Sequence, residues 1–290
     1  MRRNALNLRS INNVQPRVWV TGAGGLIGHH LVLAAGKFAP QLHIIPLTHG
    51  DLDLTDFAAV EKKFHADRPH WVVHCAALSR AADCQADPAA ARRLNVAAAA
   101  HLAALAAESG FIFFSSDLVF DGRKGGYVES DPPNPLNLYG ETKAAAEEII
   151  LRNPRHLVLR AGLNSGATLS GRRSFNEEMA NIWRAGGSVK LFSDEFRCPL
   201  PAAVTARAVW ELARPGRAGL YHLAGSERLS RVEIGRVVAA RHPELEARIE
   251  VCSRREYAGP PRPADVSLNC GKVQALLSFP LPAFSAVVEL

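Results

Sequence analysis

A glycine-spaced turn directly after the first apolar strand constrains this chain more than any other feature. Arg17-Val18-Trp19-Val20-Thr21 runs into Gly22-Ala23-Gly24-Gly25-Leu26-Ile27-Gly28, and an apolar helix, His30-Leu31-Val32-Leu33-Ala34, follows. Gly22 can make the tight turn and Gly25 lets backbone N–H groups approach a pyrophosphate. Gly28 lets the helix pack close to the sheet with its positive end on the phosphates. The same alternation recurs downstream, where apolar runs at 42–47, 71–75, 111–115 and 156–160 are separated by segments of helical period. Strands that are apolar throughout suit a sheet covered on both faces, so the expected fold class is α/β, a doubly wound parallel sheet with ligands at the carboxyl ends of its strands. Helices are expected from Asp87-Pro88 to about Ser109, and from Asn137 to just before Pro154.

After Arg160 the alternation loosens at Gly162, Gly166, Gly171, Gly186-Gly187, Pro199 and Pro201. The expected organisation is a mobile arm over 1–16, a dinucleotide-binding domain over 17–160, and a smaller lobe over 161–290 that is mainly substrate-binding, with some segments able to return to the sheet. The lobe is assigned strands at 189–192 and 219–223 and helices at 202–213 and 230–241. A length of 290 residues with 48% hydrophobic and 21% charged residues excludes wholesale disorder. The small-apolar stretch 96–107 is too short to cross a membrane, and the start of the chain lacks the apolar core of a secretory signal. Five cysteines without a C-x-x-C pair suggest neither a disulfide framework nor a zinc ribbon, and a cytoplasmic location is expected. The net charge of +6 comes from arginines spread along the chain; pairs such as Arg172-Arg173 and Arg254-Arg255 are too short for a nucleic-acid tract, whereas a small anionic ligand suits them.

The G-x-x-G-x-x-G spacing, opening with Thr21, resembles that of the extended short-chain dehydrogenase/reductases, which directs attention to a Tyr-x-x-x-Lys pair downstream. Tyr139-Gly140-Glu141-Thr142-Lys143 opens a predicted helix, placing phenol and ammonium i, i+4 on one face. A tyrosine ionises near about pH 10, and a nearby cation lowers that value, so Lys143 is expected to tune Tyr139 as a proton donor. Upstream, the strand Phe111-Ile112-Phe113-Phe114 ends in Ser115-Ser116-Asp117, which offers the Ser116 hydroxyl for a substrate carbonyl at the carboxyl end of the sheet.

Longer strings narrow the resemblance. Ser116-Asp117-Leu118-Val119-Phe120-Asp121-Gly122, Pro132 to Lys143, His74-Cys75-Ala76-Ala77, Asn95, Tyr221 to Gly225 and Arg262-Pro263-Ala264-Asp265 are similar to the dTDP-4-dehydrorhamnose reductase branch, from Arg17 onward. The resemblance implies a Rossmann sheet and an NADPH- or NADH-dependent reduction of the 4-keto group of a nucleotide-linked deoxysugar. Ser116, Tyr139 and Lys143 would be its catalytic set. It further implies cofactor contacts at Gly22, Gly25, Leu26, Ile27, Gly28, Thr48, His49, Asp53, Leu54, Cys75, Ala76, Ala77, Asn95, Tyr139 and Lys143, and substrate contacts at Ser79, Ser116, Asp117, Leu118, Asn164, Arg197 and Arg262. Two places depart from the branch: Leu118 stands where the family has tyrosine, and Ala161-Gly162-Leu163-Asn164 lacks the family's aromatic residue. The strings also resemble the regulatory β subunit of methionine adenosyltransferase, a non-catalytic alternative; an epimerase or a reductase of another ketone is a further one. A 4,6-dehydratase is disfavoured because Leu118 replaces its glutamate.

At the end of the second strand, Leu47-Thr48-His49-Gly50 carries no carboxylate, and Thr48 and His49 can donate to a 2′-phosphate, so NADPH is favoured over NADH. Asp51-Leu52-Asp53-Leu54 follows, either near the adenine or as part of a helix entry with Thr55 or Asp56 as the cap. Arg197 and Arg262 are expected to hold a diphosphate, or else to form surface salt bridges. His70 and His74 share a predicted strand about 13 Å apart, too far for one zinc ion, so no metal is expected. A homodimer is compatible with this reading.

Overall fold

The computed structural model describes residues 15–171 and 174–287. The arm expected over 1–16 lies outside the described residues except for its last two, and those are tied down. Gln15 Nε2 donates to the Pro40 carbonyl at 3.2 Å and His43 N–H to the Pro16 carbonyl at 2.9 Å. Arg172-Arg173 also lies outside the described residues.

The first half alternates strand and helix: β1 (Arg17–Thr21), α1 (Leu26–Phe38), β2 (His43–Leu47), α2 (Phe57–Asp67), β3 (Trp71–His74), α3 (Ala81–Ala86), α4 (Pro88–Arg92), α5 (Ala99–Leu105), β4 (Gly110–Ser116), α6 (Leu138–Ile150) and β5 (His156–Ala161). Short pieces then mix with helices: β6 (Asn164–Ser165), α7 (Phe175–Arg184), β7 (Ser188–Phe192), β8 (Phe196–Arg197), β9 (Leu200–Pro201), α8 (Ala202–Leu212), β10 (Gly219–Leu223), β11 (Leu229–Ser230), α9 (Arg231–Arg241) and β12 (Arg248–Cys252). Two four-residue helices, α10 (Gly271–Gln274) and α11 (Phe284–Val287), close the described chain.

Six parallel strands form one sheet in the order β2-β1-β3-β4-β5-β10. Strand order reverses between β1 and β3, and the crevice at that reversal is where a doubly wound sheet takes its ligand. Val18 and Val20 point to one face, with Leu31 and Ala35 of α1 and Val209 of α8; Trp19 points to the other, with Phe64, Leu102 and Ile150. Burial on both faces explains why β1 is apolar at successive positions. The Trp19 indole N–H is nevertheless satisfied, donating to Asp67 Oδ2 at 2.9 Å.

Two segments assigned to the second lobe belong to this layer. β10 pairs in parallel with β5 and extends the sheet, and α8 packs on α1, where Trp210 Nε1 donates to the Leu31 carbonyl at 3.0 Å. What remains of the lobe is the β7–β12 pair with α7 and α9 over Met179, Trp183, Leu191, Ile234 and Val238. The helix expected from Asp87 to Ser109 begins as predicted, with the Asp87 carboxylate accepting from Ala90 N–H at 2.9 Å. It runs through a π-turn at Arg93–Ala98 and ends at Leu105. Asp56 is the cap of α2.

Candidate active site

Two loops meet at the strand reversal. Gly22 has φ +68°, and a Cβ there would stand 2.7 Å from the Ala76 backbone nitrogen; at Gly28 a Cβ would stand 2.3 Å from the Gly22 carbonyl. Only glycine permits that approach. Gly25 precedes α1 with no side-chain cap, whereas α2, α4, α6, α7 and α9 are capped by Asp56, Asp87, Asn137, Ser174 and Ser230. The first turn of α1, with Leu26 and Ile27, thus has no side-chain cap on its positive end, and the loop that leads into it packs against the backbone of Cys75 and Ala76. His29 is half-buried, one turn into the same helix.

Lys143, on α6, is 2% exposed, and its Nζ lies 4.2 Å from the centroid of the Phe113 ring. Among the described residues its ammonium has no hydrogen-bond acceptor. Burial pulls its pKa down to about 8, against the raising influence of the Cys75 thiol, Glu147 and the Cys84 thiol. A buried ammonium without an acceptor is costly unless a ligand completes its shell.

α6 owes its position to the asparagine cap and to a close approach. Asn137 Oδ1 accepts from Gly140 N–H at 3.0 Å, and a Cβ on Gly140 would stand 2.2 Å from the Leu118 carbonyl, so the helix entrance lies against the turn that follows β4. Asn95, 1% exposed within the π-turn, braces it from the other side. It accepts from Leu78 N–H at 2.8 Å and donates to the Leu78 carbonyl and to Thr142 Oγ1, each at 3.0 Å; Thr142 in turn donates to the Tyr139 carbonyl at 2.8 Å. π-turns occur often at functional sites, where the extra residue re-aims a side chain.

Tyr139 and Ser116 come together closely enough for the Ser116 hydroxyl to act on the phenol's pKa. The expectation that Lys143 lowers the phenol pKa is not met in the free chain: burial first, and then the Asp117 carboxylate, raise it, while Ser116 and Arg197 oppose them. Ser116 is also engaged, donating to Asp117 Oδ1 at 3.1 Å and accepting from Leu118 N–H at 3.1 Å. Asp117, fully buried, takes two bonds from Arg197, Nε to Oδ2 at 2.8 Å and Nη2 to Oδ1 at 2.7 Å.

The two arginines expected to hold a diphosphate are therefore held themselves. Arg197 is 6% exposed and bound to Asp117, neither free nor on the surface. Arg262 is bound by both oxygens of Glu195, with Nη2 to Oε1 at 2.9 Å, and Glu195 is 1% exposed. Glu195 thereby links Arg262 to Arg197, whose Nη1 is 3.7 Å away. Asn164 is likewise occupied, donating to the Gly162 carbonyl at 3.0 Å and accepting from Thr205 Oγ1 at 2.6 Å. Leu118 is half-buried beside Ser116, and Ser79 is exposed at the tip of the β3–α3 loop.

The end of β2 differs from its reading as a strand end without a carboxylate. Asp51 folds back, and its Oδ2 accepts from Thr48 N–H at 2.8 Å and Thr48 Oγ1 at 2.6 Å. Thr48 thus donates within the chain, and His49 is exposed beside it. Asp53 Oδ1 accepts from both Thr55 N–H and Thr55 Oγ1 at 2.8 Å, and the Leu54 side chain lies in the core. His74 is buried, with Nδ1 2.7 Å from Thr21 Oγ1 and its ring stacked on Phe113.

A second buried pair escaped sequence reasoning: Arg160 of β5 grips Glu147 of α6 at 2.8 Å, both 3% exposed, with His222 of β10 at 3.5 Å. It joins the Lys143 helix to the newly recognised sixth strand. A basic residue in an otherwise apolar strand was its one visible sign.

A family model described as the RmlD substrate binding domain matches residues 16–290. Methionine adenosyltransferase 2 subunit beta of Rattus norvegicus is 30% identical over 291 residues, covering 92% of this chain and 84% of that protein. The dTDP-4-dehydrorhamnose reductase of Clostridium acetobutylicum superposes with a TM-score of 0.83 at 25% identity, covering 92% of this chain and 94% of the other. The dTDP-4-dehydrorhamnose reductase of Bacillus anthracis, solved in complex with NADP, superposes with a TM-score of 0.86 at 22% identity, covering 94% and 97%. Together with the glycine turn and the Tyr-x-x-x-Lys helix, the match across almost the whole chain means that this protein belongs to the RmlD substrate-binding family, the dTDP-4-dehydrorhamnose reductase branch of the extended short-chain dehydrogenase/reductases.

Proposed function

We propose that this chain is an NADP(H)-dependent reductase of a keto group, the 4-keto group of a nucleotide-linked deoxysugar. One observation carries the reading: Lys143, a buried ammonium with no acceptor among the described residues, stands on the same helix face as Tyr139 at the carboxyl end of β4. The uncapped start of α1 and the glycine cradle of Gly22, Gly25 and Gly28 fit a dinucleotide pyrophosphate, and Lys143 fits ribose hydroxyls. When bound, the nicotinamide supplies the hydride. The chain's own work is protonic. Tyr139 Oη holds the proton that the ketone oxygen needs, and Ser116 gives its hydrogen bond to that oxygen once it turns away from Asp117. Arg197 favours the turn, because two charged hydrogen bonds already occupy the Asp117 oxygens and weaken them as acceptors.

NADPH is assigned ahead of NADH, with Asp51 as the residue that decides. Its carboxylate must leave Thr48 for a 2′-phosphate to be received there, so Asp51→Asn is expected to shift the ratio of dissociation constants further toward NADPH, read by paired titrations.

A second reading has its own support. The 30% identity to methionine adenosyltransferase 2 subunit beta and the placing of Leu118 beside Ser116 suit a partner protein that keeps the dinucleotide site without turnover. NADPH oxidation against a panel of nucleotide-linked 4-keto sugars and simpler ketones separates the two. Turnover that falls by roughly 10²- to 10⁴-fold in Tyr139→Phe supports the reductase. Silence across the panel, with stoichiometric co-purification of a methionine adenosyltransferase, supports the partner protein.

A further inference from the structure

Four arginines from separate parts of the chain gather where the lobe meets the sheet, and three are matched one to one. Arg197 is bound by Asp117, Arg262 by Glu195, and Arg80, at the start of α3, donates to Glu178 Oε1 of α7 at 2.7 Å. The fourth, Arg231, opens α9. Its backbone N–H donates to the Glu195 carbonyl at 2.9 Å, and its guanidinium carbon lies 5.0 Å from the Phe175 ring centroid. Among the described residues no carboxylate or other acceptor meets that guanidinium, although the residue is half-buried. The inner cluster of Arg197, Arg231 and Arg262 faces two buried carboxylates, Asp117 and Glu195, which leaves one positive charge uncompensated.

The excess is felt at Arg231. Burial pulls its pKa down to about 10; Glu195 opposes this, and the like charges of Arg197 and Arg262 reinforce it. Its neighbourhood is also defined: Leu229 and Ser230, just before it, pair with Arg197 and Phe196, and the charges acting on it include Arg197, itself bound to Asp117, and Glu178, which Arg80 holds from the loop that carries Ser79. An unpaired, partly desolvated cation costs free energy that an incoming anion recovers, and the guanidinium fork suits phosphoryl oxygens.

We propose that Arg231 is the anion-recognition residue of this cleft, taking a phosphoryl group of a diphosphate-bearing nucleotide that Arg197 and Arg262, already bound to carboxylates, are not free to take. The inference rests on the nucleotide-linked substrate proposed above, and its test is separable from that reading. The full-length chain is titrated calorimetrically with UDP and with inorganic pyrophosphate, as wild type, Arg231→Gln and Arg231→Lys, while NADPH affinity is read by fluorescence. Arg231→Gln is expected to weaken both ligands by roughly 10- to 100-fold, the range of a charged hydrogen bond. It should leave NADPH affinity unchanged and the ligand-free melting temperature at or above that of wild type, because an uncompensated charge has been removed. Arg231→Lys keeps the charge without the fork, should recover part of the affinity, and carries the test if the glutamine variant does not fold. Wild-type affinity for UDP in a folded Arg231→Gln, or a lowered melting temperature with affinity intact, overturns the proposal by making Arg231 structural. Failure of wild type to bind either ligand while it binds NADPH overturns it too. UDP binding that depends on Arg231 in a chain that binds no NADPH supports the anion site and overturns the reductase instead.

Discussion

The dinucleotide crevice and the lobe treat their charges in opposite ways. Around the strand reversal, the first turn of α1 has no side-chain cap and Lys143 has no acceptor among the described residues, so positive groups are left open. On the lobe side, α7 and α9 both start with complete capping boxes, and Arg197 and Arg262 are bound by buried carboxylates, with Arg231 the exception. Burying an unpaired charge costs several kcal/mol, so the open groups mark where binding free energy is available, and the closed ones mark where the fold itself is being held.

The largest effect is expected from breaking a closed group. Arg197→Met strands Asp117 in the core and should cost about 3–5 kcal/mol in urea unfolding, while Arg197→Met with Asp117→Leu should recover most of that loss. If the single variant is as stable as wild type, the lobe side is not held by this pair. A backbone test comes next. Gly22→Ala forces a Cβ against the Ala76 backbone at a φ of +68°, and about 2–3 kcal/mol of destabilisation together with loss of NADPH binding is expected.

Acid should weaken the sheet side. His74 and His222 are fully buried with pKa values lowered by burial from 6.5 to about 3 and about 4. Folded, they refuse protons that the unfolded chain accepts below pH 6.5. Their contribution is therefore complete above that pH and is lost as pH falls from 6.5 toward 4 and then 3, by roughly 1 kcal/mol per pH unit for each histidine. Urea midpoints that stay flat between pH 6.5 and 4.5 would contradict this. The smallest effect belongs to Arg80→Ala. Both partners of the Arg80–Glu178 bridge are at least half exposed, so less than about 1 kcal/mol is expected.

How much was legible in the sequence follows the range of the interactions. The glycine turn, the Asp87 and Asn137 caps and the first five strands are local, and each was read within a residue or two. The Arg197–Asp117 bond spans 80 residues, and nothing near either residue announces it; spacing alone left Arg197 open between a phosphate ligand and a surface salt bridge, and it is a buried pair. β10 read correctly as a strand but was given to the lobe, because its partner β5 lies some sixty positions earlier and the intervening glycines suggested a boundary. Thr48 was misread at shorter range, since an Asp three residues on can fold back onto a strand end as easily as start a helix. Tyr139 and Lys143 were found by their spacing, but burial, which spacing cannot express, raises the phenol and lowers the ammonium.

The central claim is that Lys143 is an open group awaiting a nicotinamide dinucleotide. NADPH fluorescence titration of wild type and Lys143→Met from pH 7 to 9.5 tests it most directly. Wild type should bind with an affinity that declines above pH 8, as the ammonium loses its proton, whereas Lys143→Met should bind roughly 10- to 100-fold more weakly at pH 7 without that decline and remain as stable as wild type or more so. A folded wild-type chain that binds no NADPH, or a Lys143→Met variant that binds it as tightly and with the same pH dependence, would contradict the account.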